Sequence, residues 1–271
     1  FLISEAANMR LGHLLVPMGL VNLRHEPTLF KTVQRPEVEK YMIPSTWHEN
    51  GVMVYGRIAT MGLEYNVGIV NALNVDSSKT VAADGGWIRG GRLGANEKAS
   101  FTPAFVGRLD YTGMAGLLVG ASLYAGDGSN LKNDPTETTG LSMRIFDIHA
   151  AYENGPLELN ALYTASTLHG AEKLSGTAVK EASGYYVNAS YDISSLAGID
   201  YKLPVFAQYQ NYNPTEQTVD GNNESINETK ITTVGINFFA ADQAVVKLDY
   251  AKKEVNSVES KVLSLGIGYI F

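Results

Sequence analysis

The sequence contains no cysteine, so it can build neither a disulfide framework nor a thiolate metal site. It also lacks any apolar run of the ~18 residues that a helix needs to cross a bilayer. Basic charge is in short supply: 21 Lys and Arg stand against 28 Asp and Glu, a net charge of −7. That balance argues against nucleic acid as a partner and gives no general attraction to anions. Tryptophan is scarce at two, but fifteen tyrosines, nine phenylalanines and 27 glycines are present in 271 residues. Such usage suits tight turns, close packing inside a narrow lumen and aromatic girdles. With 45% hydrophobic residues and a mean hydropathy near zero, a membrane protein is still open. A β-barrel crosses lipid by closing its sheet, which satisfies every backbone donor and acceptor, and its alternating faces average to neutrality.

Twelve segments show period-two patterning, near 7–17, 51–60, 63–73, 102–111, 115–125, 140–152, 157–166, 184–193, 202–213, 229–239, 245–253 and 260–271. Within 157–166, Leu157, Leu159, Ala161 and Tyr163 face one way, and Glu158, Asn160, Thr164 and Ser166 the other. In 7–17 the pattern is weakest, because Arg10 and His13 fall on opposite faces. The connections alternate. Short ones at 60–62, 111–114, 153–156, 194–200 and 240–243 take turns with long ones at 20–50, 74–100, 126–139, 169–183 and 214–228, and a modest one at 255–259. Outer-membrane barrels have short periplasmic turns and long outer loops. The expectation is an all-β chain forming one transmembrane antiparallel β-barrel domain over 1–271.

The last eight residues place Leu265, Ile267, Tyr269 and Phe271 on one face and Ser264, Gly266, Gly268 and Ile270 on the other. The spacing of Ser264, Gly266, Tyr269 and Phe271 resembles the C-terminal assembly signal of bacterial outer-membrane barrels. The resemblance implies the outer membrane of a Gram-negative bacterium, a surround of lipid bilayer and lipopolysaccharide, and the barrel-assembly machinery as a partner. Phe271 then lies at the periplasmic rim. Counting back through twelve strands, Phe1-Leu2-Ile3 reads either as the tail of an earlier strand, with Ser4-Glu5-Ala6-Ala7 as its periplasmic turn, or as a short N-terminal arm.

Residues 10–20 (RLGHLLVPMGL), Arg24-His25-Glu26-Pro27, Arg35-Pro36 and 43–51 (IPSTWHENG) resemble the phosphate-selective porin O and P family. Residues 107–111 (GRLDY) and 119–124 (VGASLY) are similar to the family's next hairpin, and the likeness is best over 10–125. It implies a trimeric porin of about sixteen strands whose long loop folds inward, with about four N-terminal strands absent from this chain. The family's phosphate selectivity implies a basic ladder and a ring of arginines. This sequence departs from that in its acidic balance, so the pore is carried over, and anion passage, phosphate included, is left open.

Loop 20–50 contains Pro27, Pro36 and Pro44 and the apolar Leu29, Phe30, Val33, Tyr41, Met42, Ile43 and Trp47, more than a solvated loop needs. It is expected to fold inward as the constriction. Its basic residues Arg24, Lys31, Arg35 and Lys40 are matched by Glu26, Glu37, Glu39 and Glu49. Opposed charges across a constriction set up a transverse field that passes small polar solutes broadly. The lumen wall is expected to include Tyr55, Arg57, Glu64, Arg108, Asp110, Asp147, His149, Glu158, Lys247 and Asp249. Arg57 and Arg108 could hold an anion's oxygens bidentately, or simply pair with neighbouring carboxylates. Arg89 and Arg92 fall in the second long loop, dipping inward or exposed.

A passive porin is one reading; a barrel serving as scaffold, adhesin or receptor is another. Enzymatic activity would need a nucleophile beside a base, and Asp147 with His149 lacks a Gly-flanked nucleophile in the sequence. Asp127-Gly128-Ser129-Asn130 and Asp220-Gly221-Asn222-Asn223 read as turns rather than calcium sites, and no cofactor or metal is expected.

Overall fold

Period-two alternation becomes a single antiparallel sheet of twelve strands, paired in sequence order, in the computed structural model, which describes residues 1–75, 87–94, 101–128, 140–174, 178–221 and 227–270. The strands are β1 (Asn8–Leu15), β2 (His48–Ile58), β3 (Leu63–Asn71), β4 (Pro103–Tyr111), β5 (Leu117–Asp127) and β6 (Ser142–Asn154). They continue as β7 (Leu157–His169), β8 (Val179–Asp192), β9 (Pro204–Thr218), β10 (Thr229–Ala241), β11 (Ala244–Val255) and β12 (Val258–Tyr269). Every segment expected from patterning is present.

Polarity is inverted relative to a water-soluble domain. Ile148 is 49% exposed while its neighbour Asp147 is fully buried. Leu248 is 41% exposed while Lys247 is 3%. The same order repeats through Val52, Val54, Ile69, Phe105, Leu109, Tyr163 and Val187 on the outside, against Arg108, Asp110, His149, Asn188, Gln208 and Asp249 within. Apolar area left in water costs about 25 cal/mol per Å², so a continuous outer belt of this kind needs hydrocarbon around it.

The apolar core lies inside the sheet's curve. Val16, Met18, Val38, Met42, Ile43 and Trp47 of the first long loop pack against Met53, Val70, Val106, Tyr124, Met143 and Ile145 of the wall. Leu29, expected to be buried, is exposed.

Three boundaries differ from expectation. The first loop ends at Trp47, because the Val16 amide bonds the Trp47 carbonyl at 3.0 Å and carries the β1–β2 ladder outward. Strands β8 and β9 are longer than patterning suggests, pairing as far as Val179 with Thr218 across two register shifts that break the alternation. Strands β11 and β12 meet at Val255 and Val258, joined by Asn256 and Ser257, both with positive φ. Two consecutive positive φ values match the twist of a tight hairpin, so the strict exchange of long and short connections fails there.

Strands β1 and β12 form the two edges of the sheet among the described residues. Phe1 exchanges two backbone hydrogen bonds with Met9, at 2.8 and 2.9 Å, and Leu2 bridges Asn8 in antiparallel fashion. Ser4 donates its amide to the Ala7 carbonyl at 3.1 Å. Residues 1–3 thus lie along the free edge of β1, and 4–7 form the turn.

Candidate functional site

The long loop leaves β1, crosses the lumen and is fastened at three places. At its root, Asn22 holds both ends together. Its amide nitrogen donates to the carbonyls of Val16 (2.7 Å) and Trp47 (2.9 Å), and its oxygen accepts from the Trp47 amide (2.8 Å). Trp47 packs at a tilt against Tyr124 with ring centroids 4.9 Å apart, and its indole donates to Glu49 at 3.1 Å. Arg89 caps the carbonyls of Lys40 (2.8 Å) and Ser45 (2.9 Å), and Arg92 donates to Ser45 at 3.1 Å. Both guanidiniums are pulled below their usual pKa, Arg92 to about 10, chiefly by burial and then, for Arg92, by Arg89 beside it.

In the middle, wall residues grip the Gly19 peptide from both sides. Its amide donates to Asp147 at 3.1 Å, and Arg108 donates to its carbonyl. Arg108 is itself bonded to Asp110 at 2.7 Å. His149 lies between two acids, with Nε2 2.9 Å from Asp110 and Nδ1 2.6 Å from Asp147. Gly120, opposite His149 in the β5–β6 ladder, makes this possible, since a Cβ there would strike Asp110 and His149. Glu39, wholly buried, sits on the single helical turn Val38–Met42. It accepts from the Val21 amide and the Tyr186 hydroxyl, each at 2.6 Å. Burial pushes its carboxyl up to about 7, against the pull of those two bonds.

The far end docks on β7 to β12. Lys31 pairs with Glu158 at 2.7 Å; Val33 donates its amide to Asp249 at 2.6 Å; Asn237 donates to the Lys31 carbonyl at 3.0 Å. Lys247 donates to the carbonyls of Phe30 and Thr32. Glu37 accepts from Tyr212 (2.6 Å) and Lys253 (2.7 Å). Val33 and Pro27 rest against β12 where Gly266 and Gly268 leave room for them. Beneath the loop, on the side of the short turns, is a chamber of about 500 Å³ whose lining includes Arg24, Glu64, Glu153, Asn188, Gln208 and Phe239.

Of the residues expected on the lumen wall, Arg108, Asp110, Asp147, His149, Lys247 and Asp249 are buried inside the sheet's curve. Arg108, Asp147, Lys247 and Asp249 bond the loop directly, and Asp110 holds Arg108. Arg57 lies 3.9 Å from Glu64, both about half exposed, and Tyr55 lies under the Arg10 guanidinium, 4.0 Å from the ring centre. Of the expected constriction charges, Arg24 is exposed, Arg35 donates to the His25 carbonyl at 3.1 Å, and Lys40 lies over its neighbour Tyr41. The Asp147–His149 pair is no nucleophile-activating dyad, because both ring nitrogens already face carboxylates. Patterning missed Asn22, Tyr186, Gln210, Tyr212 and Asn237 altogether; the strand alternation around the last four was a signal for their facing but not for their partners. On β12, Ser264 and Gly266 face the lumen and Tyr269 faces out; Phe271 lies outside the described residues, as do Ser129, Asn130, Asn222 and Asn223.

An inside-out twelve-stranded sheet with an inward loop defines the outer-membrane β-barrel class. The solved structures it resembles bear this out as a fold. They include the outer membrane channel DcaP of Acinetobacter baumannii (TM-score 0.61, 12% identity, 97% of this chain and 72% of that one). OmpF of Salmonella typhi aligns with TM-score 0.62 at 13% identity over 98% and 75% of the two chains. An anion-selective porin from Comamonas acidovorans gives 0.57 at 13% over 97% and 74%. By sequence, an uncharacterized protein of Aquifex aeolicus is 28% identical over 265 residues, 93% of this chain. The chain spans 59% of that relative's length. No family model matches the chain.

Proposed function

We propose that the protein is a porin of the Gram-negative outer membrane, passing small polar or ionic solutes by diffusion through a lumen narrowed by residues 16–47. The observation that carries this reading is a polar interior crossed by a loop fastened to opposite walls, above a chamber large enough for a small solute. The polar side chains of Asn160, Asn188 and Gln208 on the chamber lining support it.

The finer readings belong to the same proposal. Pairing of residues 1–3 along β1 supports further strands between β1 and β12, about sixteen in all, since a closed barrel leaves no free edge. Homotrimer formation, contact with lipopolysaccharide and delivery by the barrel-assembly machinery through β12 follow from the resemblances above. Anion passage, phosphate included, would depend on Arg24 and Arg57, because Lys31, Arg108 and Lys247 are already engaged.

Planar-bilayer recording of the full-length protein tests the pore. Steady ion conductance is expected, and its complete absence at any voltage would sink the porin reading. In a salt gradient, Arg24→Gln combined with Arg57→Gln should move the reversal potential toward cation preference. An unchanged potential would remove both residues from the permeation path.

A further inference from the structure

The Gly19 amide and carbonyl and the Val21 amide are all held by side chains that can gain or lose a proton, or that lean on groups that can. Asp147 takes the Gly19 amide and Arg108 the Gly19 carbonyl. Arg108, Asp110, His149 and Asp147 form one chain whose links are 2.7, 2.9 and 2.6 Å. Each nitrogen of the His149 ring faces a carboxylate oxygen, which a ring carrying two protons satisfies at both ends. With one proton, the ring would turn a lone pair toward one of the acids. The Val21 amide ends on Glu39, which also takes the Tyr186 hydroxyl. No salt bridge reaches Glu39 among the described residues; the charged and titratable groups facing it are Asp147 and His149 of β6 and Tyr186 of β8. Arg108 and Asp110 of β4 face it through His149.

Part of this assembly borders the chamber: Val21, Arg108, Asp110 and Tyr186 line it, with Leu20 and Arg24 beside them. Movement of the segment would therefore open the chamber upward.

We propose that the Arg108–Asp110–His149–Asp147 chain and Glu39 together form a proton-controlled latch, which keeps the loop docked in acid and releases the Gly19–Val21 segment as pH rises to neutral, to give a wider pore. This rests on the porin reading and adds its regulation. The physical cause is common to both parts. Losing a proton costs His149 one of its two charge-assisted bonds. It leaves Glu39 as an anion in a site sealed from water, and undocking relieves that burial. The Glu39 carboxyl is raised from 4.5 to about 7, so the docked form holds a proton that the undocked form gives up between those values. Docking is strongest below that window and is lost as pH rises through it.

Single-channel recording of the full-length protein from about pH 5 to about pH 9 reads this directly, as the ratio of time in wide and narrow conductance states. That ratio should climb by up to about tenfold per pH unit within the window, the limit for one coupled proton. Glu39→Gln, which keeps shape and hydrogen bonding but cannot ionise, should flatten the climb. His149→Gln, with no positive charge to offer, should populate the wide state already in acid. The wild-type curve needs no variant to fold: conductance with a ratio independent of pH overturns the latch and leaves the porin standing. No current at any pH overturns the porin reading itself. A wild-type slope that both variants reproduce unchanged overturns the assignment to these residues.

Discussion

Asn22 uses one side chain for three bonds, to the Val16 and Trp47 carbonyls and the Trp47 amide. Removing it strands the buried Trp47 amide, worth about 1–3 kcal/mol, and leaves the Trp47 and Val16 carbonyls with only the Val16 and Met18 amides as donors. Asn22→Ala should therefore loosen the whole root of the loop while the strands persist, seen as faster protease cleavage between residues 20 and 47 with unchanged circular dichroism. Cleavage at the wild-type rate would mean the root is held by Trp47 packing alone. Gly19 is constrained in another way. Its φ is +68°, and a Cβ would strike the Glu39 carboxylate. Gly19→Ala adds left-handed strain of about 1–2 kcal/mol to that collision and should raise the wide-state conductance at every pH. At this scale the sequence showed residue types without environments. Glu39 reads as one of four acids balancing four bases; only contact with Tyr186, 147 positions away, makes it a buried carboxyl.

At the scale of elements, the strands were legible and the loop partly so. A strand's side-chain period is two whatever surrounds it, and each expected segment emerged in its place. Ends were less legible, because pairing beyond Asn213 in β9 depends on what β8 does at its bulges. The loop's inward fold could be anticipated from its apolar content, but its path could not, since each fastener joins residues more than a hundred positions apart in many cases. The terminal strand joins the two scales. Gly266 belongs to the pattern that resembles an assembly signal, yet its lumen face and that of Gly268 are also the seats of Val33 and Pro27. Gly268→Val should displace the loop's far end and increase single-channel conductance, with the barrel still resistant to denaturation in detergent. Unaltered conductance would mean that the loop's far end does not depend on that glycine.

For the whole molecule, polarity turned inside out is the governing fact. A charge placed on the outer belt meets hydrocarbon, at about 2–4 kcal/mol near the bilayer midplane. Ile148→Arg should thus lower unfolding stability in lipid vesicles by about that amount, whereas Thr233→Arg, directed into the lumen, should change conductance more than stability. Equal losses at both positions would contradict the assignment of faces. The open edges matter at this scale too. Ile267 of β12 is 83% exposed, far above belt residues within the sheet, which is the condition of a strand with one neighbour instead of two.

The sequence by itself determined the class of structure: alternation, absent apolar helices and turn spacing leave a membrane barrel, because these are local properties that each segment carries alone. Tertiary structure decided what the lumen charges do. Arg108, Lys247 and Asp249 are inward by parity, but whether an inward charge meets solute or a loop peptide is set by which distant segment arrives beside it. In this protein the loop arrives first, and what reads as a lining for ions is largely the fastening of that loop.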